Sequence, residues 1–406
     1  MSSNYRCGRE GVGYHPTVTL DISAPYSTSQ PRLADLTTFH VGGPVRDFVV
    51  THNEGDFIAA IRAADVAGTP LLVLGGGSNL VAGDGLFDGV VVHDERAGHP
   101  EHIDIYRHPL TPQNRIRFRE DHESAQNAVE LVTMVAGQDW DKFVASTVKK
   151  GLAGVEALSG IPGTVGAAPV QNIGAYGQDV SQTIQSVRVY DRETGDIVTF
   201  SAPELEFGYR SSKLKSSMMV GSKYHPTPRY VVLDVTFALH KSDLSMPIAY
   251  AQLANRLGVA VGERAPLPQV RDAVLELRAG KGMLAPKDEY ADDHNRWSAG
   301  SFFTNPILDD DAAATLPADA PRFQHGDQTK TSAAWLIEHA GFTKGYGVHG
   351  PDSKATLSTK HTLALTNRGA ASAADITELA RDIRAGVHEK YGITLEPEPV
   401  TIGFTL

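Results

Sequence analysis

The first ~30 residues are polar, broken by glycine and proline, and keep no period, which reads as an extension. Order is expected to begin near Leu36-Thr37-Thr38-Phe39-His40-Val41-Gly42-Gly43, and Asp47 to Val50 has strand composition. Glu54 to Ala67 places Phe57, Ile58 and Ile61 at helical spacing behind Asn53, a possible N-cap. The short apolar run Leu71 to Leu74 reads as a buried strand, and Gly89 to Val92 as the next one. Strand, helix and strand within so short a stretch predict a small α/β layer. From Asp94 to about Glu130 the chain turns polar, and Ile103 to Tyr106 and Ile116 to Arg119 alternate as a half-exposed hairpin would.

Regular patterning resumes at Leu131 to Gly137, followed by a helix over Trp140 to Lys150 that stops at Gly151. Ile184 to Tyr190 and Ile197 to Phe200 form a strand pair around the turn Asp191-Arg192-Glu193-Thr194-Gly195-Asp196. Tyr230 to Leu239 alternates as a strand and closes this region. After Pro247 helical spacing takes over, at Ala249 to Leu257, Pro268 to Ala279, Ser332 to Ala340 and Ala373 to Tyr391. Short strands are expected at Leu363 to Thr366 and Thr401 to Phe404, and Asp309-Asp310-Asp311 reads as a solvated turn.

Composition narrows the class without deciding it. The 406 residues are 41% hydrophobic and 21% charged, which suits two or three globular domains. No window approaches the roughly 18 apolar residues that span a bilayer, and the first residues lack a secretory signal's apolar core. Cys7 is the single cysteine, so no internal disulfide can form and no metal site is expected. A net charge of −11 argues against nucleic-acid binding. It leaves room for an anionic small molecule in a local basic pocket. A cytoplasmic enzyme without membrane insertion is the simplest expectation.

Two segments carry candidate chemistry. Gly75-Gly76-Gly77-Ser78-Asn79 follows a buried strand with three consecutive glycines, so backbone N–H groups can face one anion; a plain tight turn accounts for it equally well. It is not the Gly-x-Gly-x-x-Gly of a Rossmann fingerprint. Ser159-Gly160-Ile161-Pro162-Gly163-Thr164-Val165-Gly166-Ala167-Ala168-Pro169 runs on through Gln171-Asn172-Ile173-Gly174-Ala175-Tyr176-Gly177. These 19 residues hold five glycines and two prolines and no ionic side chain, so any cofactor contact is by backbone approach.

With these segments the chain resembles the UDP-N-acetylenolpyruvoylglucosamine reductase (MurB) family. Phe207-Gly208-Tyr209-Arg210-Ser211-Ser212-Lys213, Ala299-Gly300-Ser301-Phe302-Phe303-Thr304-Asn305-Pro306 and Leu395-Glu396-Pro397-Glu398 follow in the family's order. The resemblance covers about Leu36 to the C-terminus. It implies an α+β or α/β architecture: an FAD-binding fold of the vanillyl-alcohol-oxidase (PCMH) type made of two α/β subdomains, plus a C-terminal α/β substrate domain. The corresponding boundaries are 1–30 for the extension, 31–93 and 94–245 for the two FAD-binding subdomains, with the polar insertion at 94–130. The substrate domain is 246–395, and 396–406 is a C-terminal segment carrying Glu398.

The implied reaction is reduction of UDP-N-acetylglucosamine enolpyruvate to UDP-N-acetylmuramate, with NADPH reducing FAD and the flavin passing hydride to the vinyl carbon. Charge then develops beside the substrate carboxylate and must be stabilised and protonated. By motif, Ser301 is the proton donor, with Arg210 and Glu398 supporting the charge. Gly75, Gly76, Gly77, Ser78, Asn79, Ser159, Gly160, Ile161, Pro162, Gly163, Gly166, Gln171, Asn172, Gly174, Ala175 and Tyr176 match the cofactor-binding positions. Tyr209, Tyr250, Lys281 and Asn305 match substrate-binding positions, Lys281 for the diphosphate.

Taken singly, Arg210 reads equally as an ion pair, Lys281 as a solvated helix-end charge and Tyr250 as a core aromatic. Tyr209 packs beside the flavin site or simply in the core. Three positions depart from the family: Thr304 where lysine is common, Pro399-Val400 where Val-Arg is common, and Lys360-His361 near a frequent glutamine. His361 replaces an amide contact or is an ordinary surface histidine. A flavin oxidase of the same fold and a non-catalytic nucleotide-sugar-binding module are the competing functions.

Overall fold

The computed structural model describes residues 30–98, 104–106, 129–219, 221–285 and 292–406. The N-terminal extension and the second arm of the expected hairpin, Ile116 to Arg119, lie outside the described residues.

The first layer is a parallel sheet with β4 (Phe87–Asp94) between β1 (Val45–Thr51) and β2 (Leu71–Leu74). The connection from β1 to β2 is helix α1 (Glu54–Ala67), begun by the Asn53 side chain accepting from the Asp56 N–H and ended by Gly68 at φ 64°. Phe57 and Ile61 on one face of α1 pack with Leu71 and Val92, and also with Tyr190, Val231 and Leu233 from the next layer. That shared cluster joins the two layers. Between β2 and β4 the chain forms β3 (Leu80–Ala82), which packs Leu80 and Ala82 against Leu72, Leu74 and Val91 of this sheet but pairs with a strand near the C-terminus.

The second layer is antiparallel. Its path runs β8 (Ile197–Ser201), β7 (Ile184–Asp191), β9 (Tyr230–Lys241), β6 (Val129–Val135), β5 (Asp104–Tyr106), with Leu152–Ala153 also paired to β9. Thus Asp104–Tyr106 is a strand, and it pairs antiparallel with β6. Alternate β6 side chains, Val132 and Met134, enter a core shared with Trp140 and Phe143 of α2 (Trp140–Lys149).

Helices α3 (Ala251–Leu257) and α4 (Leu267–Gly280) bury Leu253, Val270 and Val274 against Ala157 at the edge of the glycine-rich second segment. The remaining chain builds a further core from Phe302, Phe303, Leu336 of α6 (Ala333–His339) and one face of α7 (Ala373–Tyr391), which Phe39, Val41 and Val81 also enter. On α7 that face is Ile376, Leu379, Ala380, Ile383 and Val387, the three- and four-residue spacing of one helical stripe. The two helices pack with the hairpin of β10 (Ala355–Leu357) and β11 (Leu365–Asn367). Asp309-Asp310-Asp311 is not a turn but a helix start: the Asp309 side chain accepts from the Ala312 N–H and opens α5 (Asp310–Ala314). Carboxylates at a cap and first turn meet free N–H groups and the positive end of the helix dipole.

The chain then returns to its beginning. β12 (Val400–Ile402) pairs in parallel with β3, and Asp84 accepts from the Ala373 and Ala374 N–H groups at the start of α7. Among the described residues, no helix is long and apolar enough to cross a membrane.

Candidate active site

The two glycine-rich segments end up in contact. A Cβ on Gly75 would sit 2.6 Å from Thr164 Oγ1, and one on Gly76 would sit 2.8 Å from Gly163 Cα. Gly77, at φ 58°, would place a Cβ 2.0 Å from the Leu36 carbonyl oxygen. The Ser78 hydroxyl donates to the Pro162 carbonyl at 2.9 Å, which closes the seam. Glycine is required here because backbones from two layers approach within side-chain distance.

A cavity of about 330 Å³ runs along this seam. Its wall is apolar at Phe57, Leu72, Val231 and Pro228 and polar at Ser301, Arg210 and Glu398. Its lining includes Gly75, Gly76, Gly77, Ser78, Asn79, Ile161, Pro162, Gly163, Gly166, Gln171, Gly174 and Ala175. A long, mostly apolar cleft with backbone cradles suits a flavin dinucleotide, whose ring is apolar and whose diphosphate takes N–H donors. The residues present therefore fit FAD.

Four of the expected cofactor positions stand outside the lining. Ser159 is fully buried, its hydroxyl donating to Glu156 O. Gly160 N–H donates to Asp141, and Asn172 bridges the Gly208 carbonyl and the Ser181 N–H. Tyr176 instead packs edge-on against Tyr250, with Lys281 Nζ 5.3 Å from its ring centre.

Arg210 and Glu398 are brought together from 188 positions apart in sequence by two separate devices. Residues 302–304 align beside 396–398: Thr304 N–H donates to Glu396 O, and Glu398 N–H to Phe302 O. The amides of Asn79 and Gln171, one from each glycine-rich segment, both donate to the Glu398 carbonyl at 3.4 Å. Arg210 adopts φ 51°, and its guanidinium donates to Asn172 O at 3.3 Å and Gly174 O at 2.7 Å. Arg210 Nε lies 2.8 Å from Glu398 Oε1, yet among the described residues its N–H finds no well-directed acceptor. The pair is thus in charge contact and still has an N–H to give.

The expected substrate residues split into two groups. Tyr209 and Asn305 border a second cavity of about 450 Å³ with Arg210 and Lys215. There Asn305 N–H donates to the Tyr209 hydroxyl, while the Asn305 side chain accepts from the Ala333 N–H at the start of α6. Burial raises the Tyr209 pKa, so the hydroxyl keeps its proton. Tyr250 and Lys281 lie elsewhere, with Lys281 Nζ donating to Gln252 at 2.9 Å at the end of α4.

Sequence reasoning left out Arg278, although its signal was present. Val270, Val274 and Arg278 share one face of α4 at four-residue spacing, so a charge falls on the apolar stripe. Arg278 is buried on the cavity wall and donates to the carbonyls of Gly160 and Met283. Burial lowers its pKa to about 10, which still leaves it cationic at neutral pH. Asp141 ties the same loop to α4 by pairing with Arg271 at 2.6 Å. Burial raises the Asp141 pKa, and the Arg271 and Gly160 bonds outweigh it to leave a net depression.

His361 is not an ordinary surface histidine. It is half-buried beside Lys281, Lys344 and Arg278, with Glu338 opposing them. Burial first, then these cations, push its pKa down to about 4 from 6.5. The unfolded chain therefore takes up a proton that the folded one refuses. Stability from this group is intact above pH 6.5 and falls as pH drops toward 4, by on the order of 3 kcal/mol. Thermal melts at pH 7.5 and 5 should show a smaller acid loss in His361→Gln than in the parent; equal losses would dismiss the histidine.

Comparison with known proteins agrees with this geometry. Residues 292–402 match the family described as UDP-N-acetylenolpyruvoylglucosamine reductase, C-terminal domain, and residues 116–201 match an FAD binding domain. A UDP-N-acetylenolpyruvoylglucosamine reductase of Streptomyces coelicolor is 46% identical over 99% of this chain and 97% of its own length. The one from Thermobifida fusca is 48% identical over 92% of this chain and 97% of its own. The crystal structure of the reductase from Thermus caldophilus shares the fold, with a TM-score of 0.56 at 24% identity, covering 92% and 98% of the two chains.

Proposed function

The chain belongs to the UDP-N-acetylenolpyruvoylglucosamine reductase family, and from that membership we infer how its cleft divides the work. It is an FAD-dependent oxidoreductase, with the FAD-binding fold followed by the family's C-terminal domain. Its reaction is the NADPH-dependent reduction of UDP-N-acetylglucosamine enolpyruvate to UDP-N-acetylmuramate, in peptidoglycan precursor synthesis.

FAD, when bound, relays hydride from NADPH to the terminal vinyl carbon, which becomes a methyl group. The adjacent carbon gains an electron pair, delocalised into its carboxylate, and needs one proton. We assign that proton to the Ser301 hydroxyl. The Arg210 guanidinium binds the carboxylate and stabilises the developing charge, and Glu398 supports it by orienting that guanidinium. The uncharged glycine segments hold the cofactor by backbone approach. Lys281, with Arg278 nearby, supplies the cationic ground for the substrate diphosphate, and Tyr250 and the neutral His361 flank it. On the same reading, residues 31–245 grip the cofactor, 246–395 receive the nucleotide sugar and 396–406 return Glu398 to the cleft. A nucleotide-sugar substrate and a nicotinamide donor assign the protein to the cytoplasm.

The observation that carries this reading is that Ser301, Arg210 and Glu398 line one glycine-walled cleft, with Arg210 against Glu398 and Glu398 bonded to the residue after Ser301. The test is anaerobic titration of NADPH-reduced protein with the enolpyruvyl nucleotide sugar. Stoichiometric flavin reoxidation is expected; a flavin that stays reduced refutes the assignment.

A further inference from the structure

Arg210 is held in a left-handed backbone conformation that a long side chain rarely adopts, at φ 51°. The turn around it is closed by two backbone bonds, Gly208 N–H to Ser211 O and Ser211 N–H to Gly208 O. Immediately after it, Ser212 caps a short helical turn over Lys213–Ser216 and donates to Val170 O. That turn swings the Lys215 side chain back, and its ammonium donates to the Arg210 carbonyl at 3.0 Å. Lys215 has no carboxylate in ion-pair contact among the described residues, although the Glu398 charge acts on it. It lines the second cavity, on the side of Arg210 that faces Tyr209 and Asn305.

An inward-turned lysine whose ammonium, among the described residues, bonds only to a strained carbonyl is expensive unless that carbonyl matters. The far end of Arg210 is fixed by the Asn172 and Gly174 carbonyls, but its contact with Glu398 has no well-directed N–H bond. The pair therefore cannot hold its own orientation, and the backbone end needs an anchor. We propose that Lys215 is a positioning residue for the reaction: it pins the Arg210 main chain in the left-handed conformation and thereby sets how Arg210 and Glu398 meet the substrate carboxylate. This rests on the functional reading of Arg210 given above. Lys215 acts through Arg210 and touches no reacting atom itself.

The experiment compares Lys215→Met, Lys215→Gln and Arg210→Lys holoenzymes by anaerobic stopped flow. Lys215→Met keeps the apolar stem and removes the donor; Lys215→Gln keeps an N–H donor without charge. A misplaced clamp costs on the order of 10²-fold in the step that uses it. In Lys215→Met, flavin reoxidation by substrate should therefore slow by about that factor, with KM for the enolpyruvyl substrate raised. Flavin reduction by NADPH and apoprotein affinity for FAD should stay within about twofold. Lys215→Gln should recover at least tenfold of the loss, about half of it on a logarithmic scale.

Equal slowing of both half-reactions, unchanged reoxidation, or no recovery in Lys215→Gln would each overturn the proposal. If Lys215→Met yields no holoenzyme, Lys215→Gln decides: selective slowing of reoxidation supports the role, and parallel slowing or none overturns it. Arg210→Lys separates the two levels. Normal reoxidation in that variant refutes the clamp itself, whereas slow reoxidation there with a normal Lys215→Met refutes only the positioning role.

Discussion

Ser301→Ala is expected to leave NADPH-driven flavin reduction near the parental rate and to slow reoxidation by substrate by about 10² to 10⁴-fold. The asymmetry follows from where the hydroxyl stands. The Ser301 loop is fixed by Phe302 N–H donating to Leu363 O at 2.7 Å and by Gly300 N–H donating to the Ser298 hydroxyl. Gly300 turns the chain at φ 71°, which presents the next residue to the cavity. Removing one oxygen from so fixed a loop should not move it, so cofactor reduction has no reason to change. Proton delivery to the substrate does. Stopped-flow traces of the two half-reactions check this directly, and equal loss in both would remove Ser301 from the proton-donor role.

The second large effect is expected at Gly77. Alanine there must accept φ 58° and a Cβ 2.0 Å from the Leu36 carbonyl oxygen. The left-handed backbone alone costs about 1–2 kcal/mol, and the overlap forces the loop away from its seam. A total of roughly 3 kcal/mol or more should weaken FAD retention by over 10²-fold. Gly77→Ala should purify largely colourless, with absorbance near the flavin bands restored only at high added FAD. Gly85→Ala is the control: no atom lies within 4 Å of its Cβ, so stability should change by less than about 0.5 kcal/mol. Similar flavin loss in both variants would mean that the seam is not what holds the cofactor.

Much of this arrangement is visible in local patterns. The stripe of α7 over Ala373–Tyr391 and the Asn53 cap of α1 depend on neighbours three or four residues away, which sequence spacing reports. Partners fixed by the tertiary fold leave no such trace. Ile103 to Tyr106 has the alternation of a strand, but nothing in it indicates that β6 lies beside it. Asn172 and Tyr176 sit in a flavin-type segment and are turned to other partners by Gly208 and Tyr250. Lys215 carries no signal at all. Its meaning arises only when a helical turn folds it back onto the Arg210 carbonyl. Conversely, Ser301, Arg210 and Glu398 are each weak alone, and it was their joint occurrence in ordered motifs that pointed to one site.

The return of β12 to β3 has a consequence for the birth of the enzyme. Asn79 and the carbonyl it holds at Glu398 are 319 residues apart, so that contact closes nearly the whole chain into a loop. Drawing such ends together costs roughly 5 kcal/mol of chain entropy before any contact repays it. During synthesis the two layers can fold as they emerge, but the floor of the cleft stays missing until the last strand is free. Cofactor capture then waits for residues 398–402, and a nascent chain stalled before residue 398 would be folded in most of its parts yet unable to close on its flavin.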